Sequence, residues 1–393
     1  MQISMDAIEE QQNPYQMFLS SLKNYDVKRK YPKLLQRFLS LIPNEVYKNT
    51  LGHTPKCQEV GTLATAFVSL AKKDPSLATR IIIAYVKEDN KLVFEGKLSP
   101  NTVPNHIKPI KALLDAGGVA IHWKTIYKVY LPEKKSHDRA YERKEIQQML
   151  DASIDVVDKV VVLVFSSSGI RVGAWDYLTW QDVIFFQNSD GTYRGAALLV
   201  YRGEPESYYT FITPEACKMI ELYRQVWTSE MGKEPKPDDP LIKISKIHKV
   251  KRLGNRGVKR RVERLAKKIG LRLKFPDGKK RHEVALDHGF RKYFNTMLRR
   301  AKVNFLDKED MMGHTVGLEK HYERYNEEDF ERFAEYQKAI PFLTISDAER
   351  TKLENESLRK EKSEFEKRIP ELVREAAERI KEDMINLGWN KIT

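Results

Sequence analysis

The stretch VVDKVVVLVF (156–165) runs directly into SSSGIRVGA (166–174), and this junction sets the fold class. Ten residues with only Asp158 and Lys159 polar read as a helix buried on nearly all sides. The small residues that follow read as its cap, and they present one cation, Arg171, just past a buried element. Taken alone, that is a helix end followed by a surface arginine. Upstream, residues 145–152 read as one more helix. Downstream the period changes to two, and residues 180–186, 196–201 and 208–212 alternate as strands. Arg202-Gly203-Glu204-Pro205, between the last two runs, reads as a hairpin turn. From Pro214 the spacing is helical again as far as Ala339.

The first third is helical throughout. Asn13-Pro14 offers an N-cap and a first-turn proline, and Met17, Leu19, Leu22, Leu34, Leu35 and Phe38 follow at helical spacing, interrupted at Pro32. A second run spans Val60 to Ala71, and Ser99-Pro100-Asn101 opens a helix that Gly117-Gly118 closes. Residues 131–138, LPEKKSHD, are polar and proline-led and read as a linker. The expected fold is therefore mainly α with a small antiparallel β-sheet. A helical domain (1–135) precedes a second domain (139–342), and a charged helix (346–393) follows, in which Pro370 suits a helix start and Leu372, Val373, Ala376, Ile380, Met384 and Leu387 form a narrow apolar stripe.

The chain has 393 residues, with 69 Lys/Arg against 55 Asp/Glu, a formal charge of +14. No apolar run approaches the roughly 20 residues that cross a bilayer, and the first residues are polar and acidic, so a membrane or secreted protein is not expected and a cytoplasmic one is. Cys57 and Cys217 have no neighbouring Cys or His at ligand spacing, and neither a metal nor a cofactor is expected. The charge has an address: between Lys243 and Arg281 stand seventeen Lys/Arg against Glu263 and Asp277. Within it, residues 256–270 place Val258, Val262, Leu265 and Ile269 on one helical face and cations on the other. Such a run is either a solvated face or a phosphate-backbone contact, and this imbalance favours the second. The candidate DNA contacts are Lys243, Lys246, Lys249, Lys251, Arg252, Arg256, Lys259, Arg260, Arg261, Arg264, Lys267 and Lys268. Residues 346–387, by contrast, are balanced and read as a solvated helix.

A second cluster follows the basic run. On a helix over 285–299, His288 and Arg291 share a face at i and i+3, where a forked donor and a titratable ring can grip a phosphate. Gly313-His314, Tyr322 and Tyr325 come next. An HxxR pair alone is as readily structural.

Taken in order, these pieces resemble the tyrosine recombinase (phage integrase) family, particularly its archaeal integrase branch. The resemblance covers about 139–342, and the helical first third looks like the core-binding domain of that family. SSGIRVGA (167–174) resembles the box of the first catalytic arginine, placing it on Arg171. HGFRKYF (288–294) resembles the HxxR box, placing its histidine and arginine on His288 and Arg291. MGHTVGLEKHYERY (312–325) is similar to the box of the second histidine, His314, and the nucleophilic tyrosine, Tyr322 with Tyr325 as the other candidate. The sequence departs from the family at Ala174, where an acid is usual, and in the turn VYRGEPESYYTF (200–211), where Arg202 stands at the usual lysine position. An arginine stays charged and is a poor general acid, which leaves Lys243 or Lys246 as a proton source. The resemblance implies a site-specific DNA recombinase or integrase that cuts and rejoins double-stranded DNA through a 3′-phosphotyrosine, needs no cofactor, and assembles as a homo-oligomer, a tetramer in synapsis. The alternatives are relaxation of DNA in the manner of a type IB topoisomerase, or a non-catalytic DNA-binding relative.

Overall fold

The computed structural model describes residues 13–23, 25–134, 138–245, 247–272, 282–314 and 331–386. Two compact units divide the chain, Met1–Ser136 and His137–Thr393. Each has its own apolar core.

The first unit is helical where it is described: α1 (Pro14–Ser21), α2 (Tyr25–Leu39), α3 (Asn44–Leu51), α4 (Val60–Lys73), α5 (Pro75–Phe94), α6 (Val103–Ala116) and α7 (Trp123–Tyr127). Asn13 caps α1 by accepting from the amides of Tyr15 and Gln16, at 2.9 and 3.3 Å. The expected break at Pro32 does not occur, and α2 continues through it. An interior proline costs about 3 kcal/mol, and the burial of Leu35, Phe38 and Leu39 beyond it offsets that loss. Asp89, buried in this core, accepts from Arg37 at 2.9 Å and pairs with His106 at 2.6 Å, so its charge is not left uncompensated.

In the second unit α8 (Arg143–Asp151) and α9 (Val156–Ser168) lead into a sheet of β1 (Val183–Gln187), β2 (Tyr193–Val200) and β3 (Tyr208–Ile212). The strands pair antiparallel in the order β1-β2-β3, with Phe185 opposite Ala196 and Ala196 opposite Ile212. Then come α10 (Pro214–Met231), α11 (Asn255–Lys268), α12 (His288–Arg300), α13 (Phe305–Met311), α14 (Glu331–Gln337), α15 (Ile340–Leu343) and α16 (Asp347–Asn386). The protein is thus mainly α with a small antiparallel sheet. The expectation of helical patterning from Pro214 to Ala339 is corrected between 232 and 254. Gly232 ends α10 at φ 67°, three prolines follow, and the segment instead forms isolated bridges, Thr179 with Pro240 and Lys243 with Arg252.

α9 is the spine of this unit. Val160 to Phe165 are buried, and the Phe165 ring stacks on Phe290 at 5.5 Å and meets Trp175 edge-on at 5.7 Å. Burying each such side chain contributes about 1.5–3 kcal/mol.

α16 runs for 40 residues and passes through Pro370, where a separate helix start was expected. Good helix formers and the spaced pairs Lys362–Glu366 and Arg374–Glu378 lie on both sides of it. Its root is fixed to α10: Glu215 accepts from the amides of Ile345 and Ser346 at 2.8 and 3.1 Å, and Lys218 reaches Glu349 at 2.8 Å. Farther out, Leu358, Phe365, Val373 and Ile380 are exposed. Among the described residues no helix is long and apolar enough to cross a membrane.

Candidate active site

The site is built on the last turn of α9. A helix leaves its final carbonyls without partners in the helix itself. Here three consecutive ones are taken by three other elements: Ser167 O accepts from the Tyr336 hydroxyl (2.8 Å), Ser168 O from Thr210 (3.1 Å), and Gly169 O from Arg291 Nη1 (2.8 Å). The serine hydroxyls turn back onto Leu163 and Val164 and leave those carbonyls to outside donors. Gly169 makes the approach possible. Its φ is 61°, and a Cβ there would lie 2.4 Å from Phe294. The negative end of the helix also favours the guanidinium placed against it.

Arg291 is only 4% exposed. Besides Gly169 O, its Nη2 donates to Met312 O and, at 2.8 Å, to Nε2 of His314. The other ring nitrogen, Nδ1, is 2.5 Å from Glu309 Oε2. These residues are neighbours because α13 ends in a Schellman turn: Gly313, at φ 61°, donates to Asp310 O, and His314 donates its amide to Glu309 O at 2.9 Å. Burial pushes the Glu309 carboxyl up, but hydrogen bonds from Lys308 and His314 outweigh it and hold the group below its ordinary range. The sequence reading did not single out Glu309. Counting back five residues from a histidine that follows a helix-ending glycine would have found it.

Arg171 leads the short helix over Val172–Asp176 and is exposed. It lies close enough to act on Arg291, whose guanidinium is pulled down by burial and then by the second cation. Tyr208 and Tyr201 stand beside both arginines. Burial pushes each phenol up, against the pull of the two guanidinium groups. The alternation of β2 and β3 gave no sign that these tyrosines border the site. Ala174, where the resemblance implies an acid, is fully buried. Asp176, two residues on, instead accepts from the amide of Asn255 at 2.7 Å, binding the Arg171 loop to α11. His288 is exposed at the first turn of α12, which begins there and not at 285. The Arg202 guanidinium is engaged by Asp182 at 2.5 Å and by Gln181 O at 3.0 Å. Tyr322 and Tyr325 lie outside the described residues.

Of the basic residues, Lys249, Lys251, Arg256, Lys259, Arg260, Arg264, Lys267 and Lys268 are exposed. Lys243 is corrected: it is 1% exposed, paired with Glu230 and set over the Trp227 ring, so it meets no external phosphate and donates no proton to one. Arg261 is committed to Asp155 and Asp158, each at 2.8 Å, and Arg252 to the carbonyl of Leu178 at 2.5 Å. Lys246 lies outside the described residues. Among the described residues no group of three or more His, Cys, Asp or Glu is placed to hold a metal ion.

No curated protein matches the chain. Among solved structures, an XerA recombinase shares 18% identity at a TM-score of 0.34, covering 81% of this chain and 94% of that one. A lambda integrase dimer bound to a COC′ core site shares 12% at 0.48, covering 81% and 98%. The Tn1549 transposon integrase in complex with transposon right end DNA shares 15% at 0.49, covering 83% and 99%. The model of the phage integrase family matches residues 139–332, the segment that carries Arg171, Arg291 and His314. That segment of the chain is a phage integrase family domain.

Proposed function

We propose that this protein is a site-specific DNA recombinase or integrase that cuts and rejoins double-stranded DNA through a covalent 3′-phosphotyrosine, and that it integrates or excises a mobile element. The observation that carries the reading is the convergence of Arg291, His314 and Arg171, from three distant stretches of chain, at the end of α9. Phosphodiester attack builds charge on the nonbridging oxygens; Arg291, held by its partners, stabilises it without reorganising, and the exposed Arg171 adds a second cation. In this reading Tyr322 Oη attacks the phosphorus and O5′ leaves as the 5′-hydroxyl with a proton from Lys246, the other lysine offered by the sequence, so the phosphodiester energy is kept for rejoining. A free tyrosine has a pKa near 10, and His288, exposed beside Arg291 on α12, is the proposed base. Arg202, already engaged by Asp182, stabilises charge without donating a proton. The exposed cations of the basic run hold the duplex backbone, and the exposed apolar residues of α16 join protomers in a synaptic tetramer.

The test is covalent capture from a library of nicked suicide duplexes of random sequence. Wild type should form a protein–DNA adduct with a preferred sequence, Tyr322→Phe should form none, and Tyr325→Phe should retain it. Adduct formation by Tyr322→Phe overturns the nucleophile. Salt-dependent binding with no adduct from wild type overturns the enzyme in favour of a binding protein. Relaxation of supercoils without site preference overturns it in favour of a topoisomerase.

A further inference from the structure

We propose that Glu309 is a positioning residue of this site, fixing the ring of His314 so that His314 in turn fixes Arg291. The inference rests on the proposed function, in which Arg291 meets a scissile phosphate. Three groups stand in a row: Arg291 Nη2, the two nitrogens of His314, and Glu309 Oε2, with steps of 2.8 and 2.5 Å. A guanidinium can only donate and a carboxylate can only accept. Both ends of the row therefore dictate its direction. Nδ1 of His314 must carry the proton that Glu309 accepts, and Nε2 must offer the lone pair that Arg291 donates to. With the opposite tautomer, an N–H would face an N–H and an acceptor would face a carboxylate.

What this does for Arg291 follows from its remaining partners. Gly169 O and Met312 O accept from the guanidinium on both Nη nitrogens, His314 accepts from Nη2, and the Tyr208 phenol is a further side-chain partner. A backbone carbonyl accepts whatever the state of its surroundings. Nε2 of a histidine accepts only in the tautomer protonated on Nδ1, and here Glu309 selects it. Glu309 is itself held on its other oxygen by Lys308, 2.7 Å away and packed over the Phe305 ring. The selecting group thus has no rotational freedom to spare. The Schellman turn at Gly313 sets the two side chains near each other, because it joins the backbone of residue 314 to that of residue 309. A guanidinium oriented before the phosphate arrives stabilises charge without paying to be ordered, and loss of such an outer partner costs about 10- to 100-fold.

Two measurements test this on the full chain. In DNA-free protein labelled with 15N-histidine, the His314 resonances, identified by their loss in His314→Asn, should show Nδ1–H in wild type and in Glu309→Gln, whose amide oxygen still accepts, and a mixture in Glu309→Ala. A wild-type ring protonated on Nε2 alone overturns the proposal, with or without enzyme activity. On a suicide duplex captured by wild type, Glu309→Ala should form adduct at least about tenfold more slowly. Glu309→Gln should recover most of that rate, and adding Glu309→Ala to His314→Ala should cost nothing further. Wild-type rates from Glu309→Ala, or a double variant slower than His314→Ala, overturn it, since a carboxylate that merely braced α13 would act independently of the ring. If wild type captures no duplex, the functional reading fails, and the tautomer alone still decides the role of Glu309.

Discussion

Gly313 shows how much a single position can carry. Its φ of 61° is the left-handed region, and a Cβ there would come within 2.5 Å of the Tyr208 ring. The same residue closes the turn that delivers Met312 O and His314 to Arg291. Gly313→Ala is expected to lower the melting temperature, with a conformational cost of about 1 kcal/mol before the clash is counted. It should also abolish adduct formation, because the ring of Tyr208 and the position of His314 cannot both be kept. An alanine variant that melts and cleaves like wild type would contradict this account. At this scale residue type and spacing singled out Arg171, Arg291 and His314, and the last two meet in the structure. It was not legible at Glu309, whose importance arises from a backbone turn, nor at Tyr201 and Tyr208, which read as ordinary strand residues. Lys243 was misread because counting charges is blind to the buried pocket of Trp227 and Glu230 that encloses it.

Among the elements α9 stands apart, since both of its ends do work. At its start Asp155 caps the helix by accepting from Val157 at 2.9 Å, and it also accepts from Arg261 of α11 at 2.8 Å. Asp158, one turn in, holds Arg261 and Arg264 at 2.8 and 2.6 Å. Burial pushes the Asp155 carboxyl up, but the hydrogen bonds from Arg261, Val157 and Ser245 win and leave it below the ordinary value. A depressed folded-state pKa gives stability that is fully present above the unfolded value, near 3.9, and disappears as pH falls through the folded one. Asp155→Asn keeps the cap and loses the charge. The variant should melt below wild type at pH 7, and the gap should close as the pH is taken from about 4 downward. A gap that stays constant with pH would show that the charge contributes nothing. Outside 232–254 the element types were readable from periodicity, and the pairing of β2 with β3 from the turn between them. The prolines at 32 and 370 were over-read, because a local rule does not weigh the burial or the flanking helix formers that carry a helix past them. The segment 232–254 was under-read for the same reason: its shape depends on bridges to residues far away in sequence.

For the molecule as a whole, the excess of +14 divides into cations with different duties. Arg256, Lys259 and Arg260 are exposed on α11, whereas Arg261 on the same helix is spent on Asp155 and Asp158. Replacing the first three by alanine should make the dependence of DNA affinity on salt shallower by about 0.9 in log–log slope for each phosphate no longer neutralised. Arg261→Ala should leave the slope nearly unchanged and lower the melting temperature instead. Equal slopes for all four would remove the distinction. The three carbonyls at the end of α9 have a further meaning when the chain is considered as something made in order, from the first residue to the last. Their donors lie 42, 122 and 169 residues downstream, and the last of them is Tyr336. Contacts across such separations close late. A polypeptide still emerging, with its arginines already synthesised, lacks the hydroxyl that completes the helix end on which they are mounted. Completion of the site and completion of the domain are thereby the same event, and an unfinished chain carries the parts of the site without its frame.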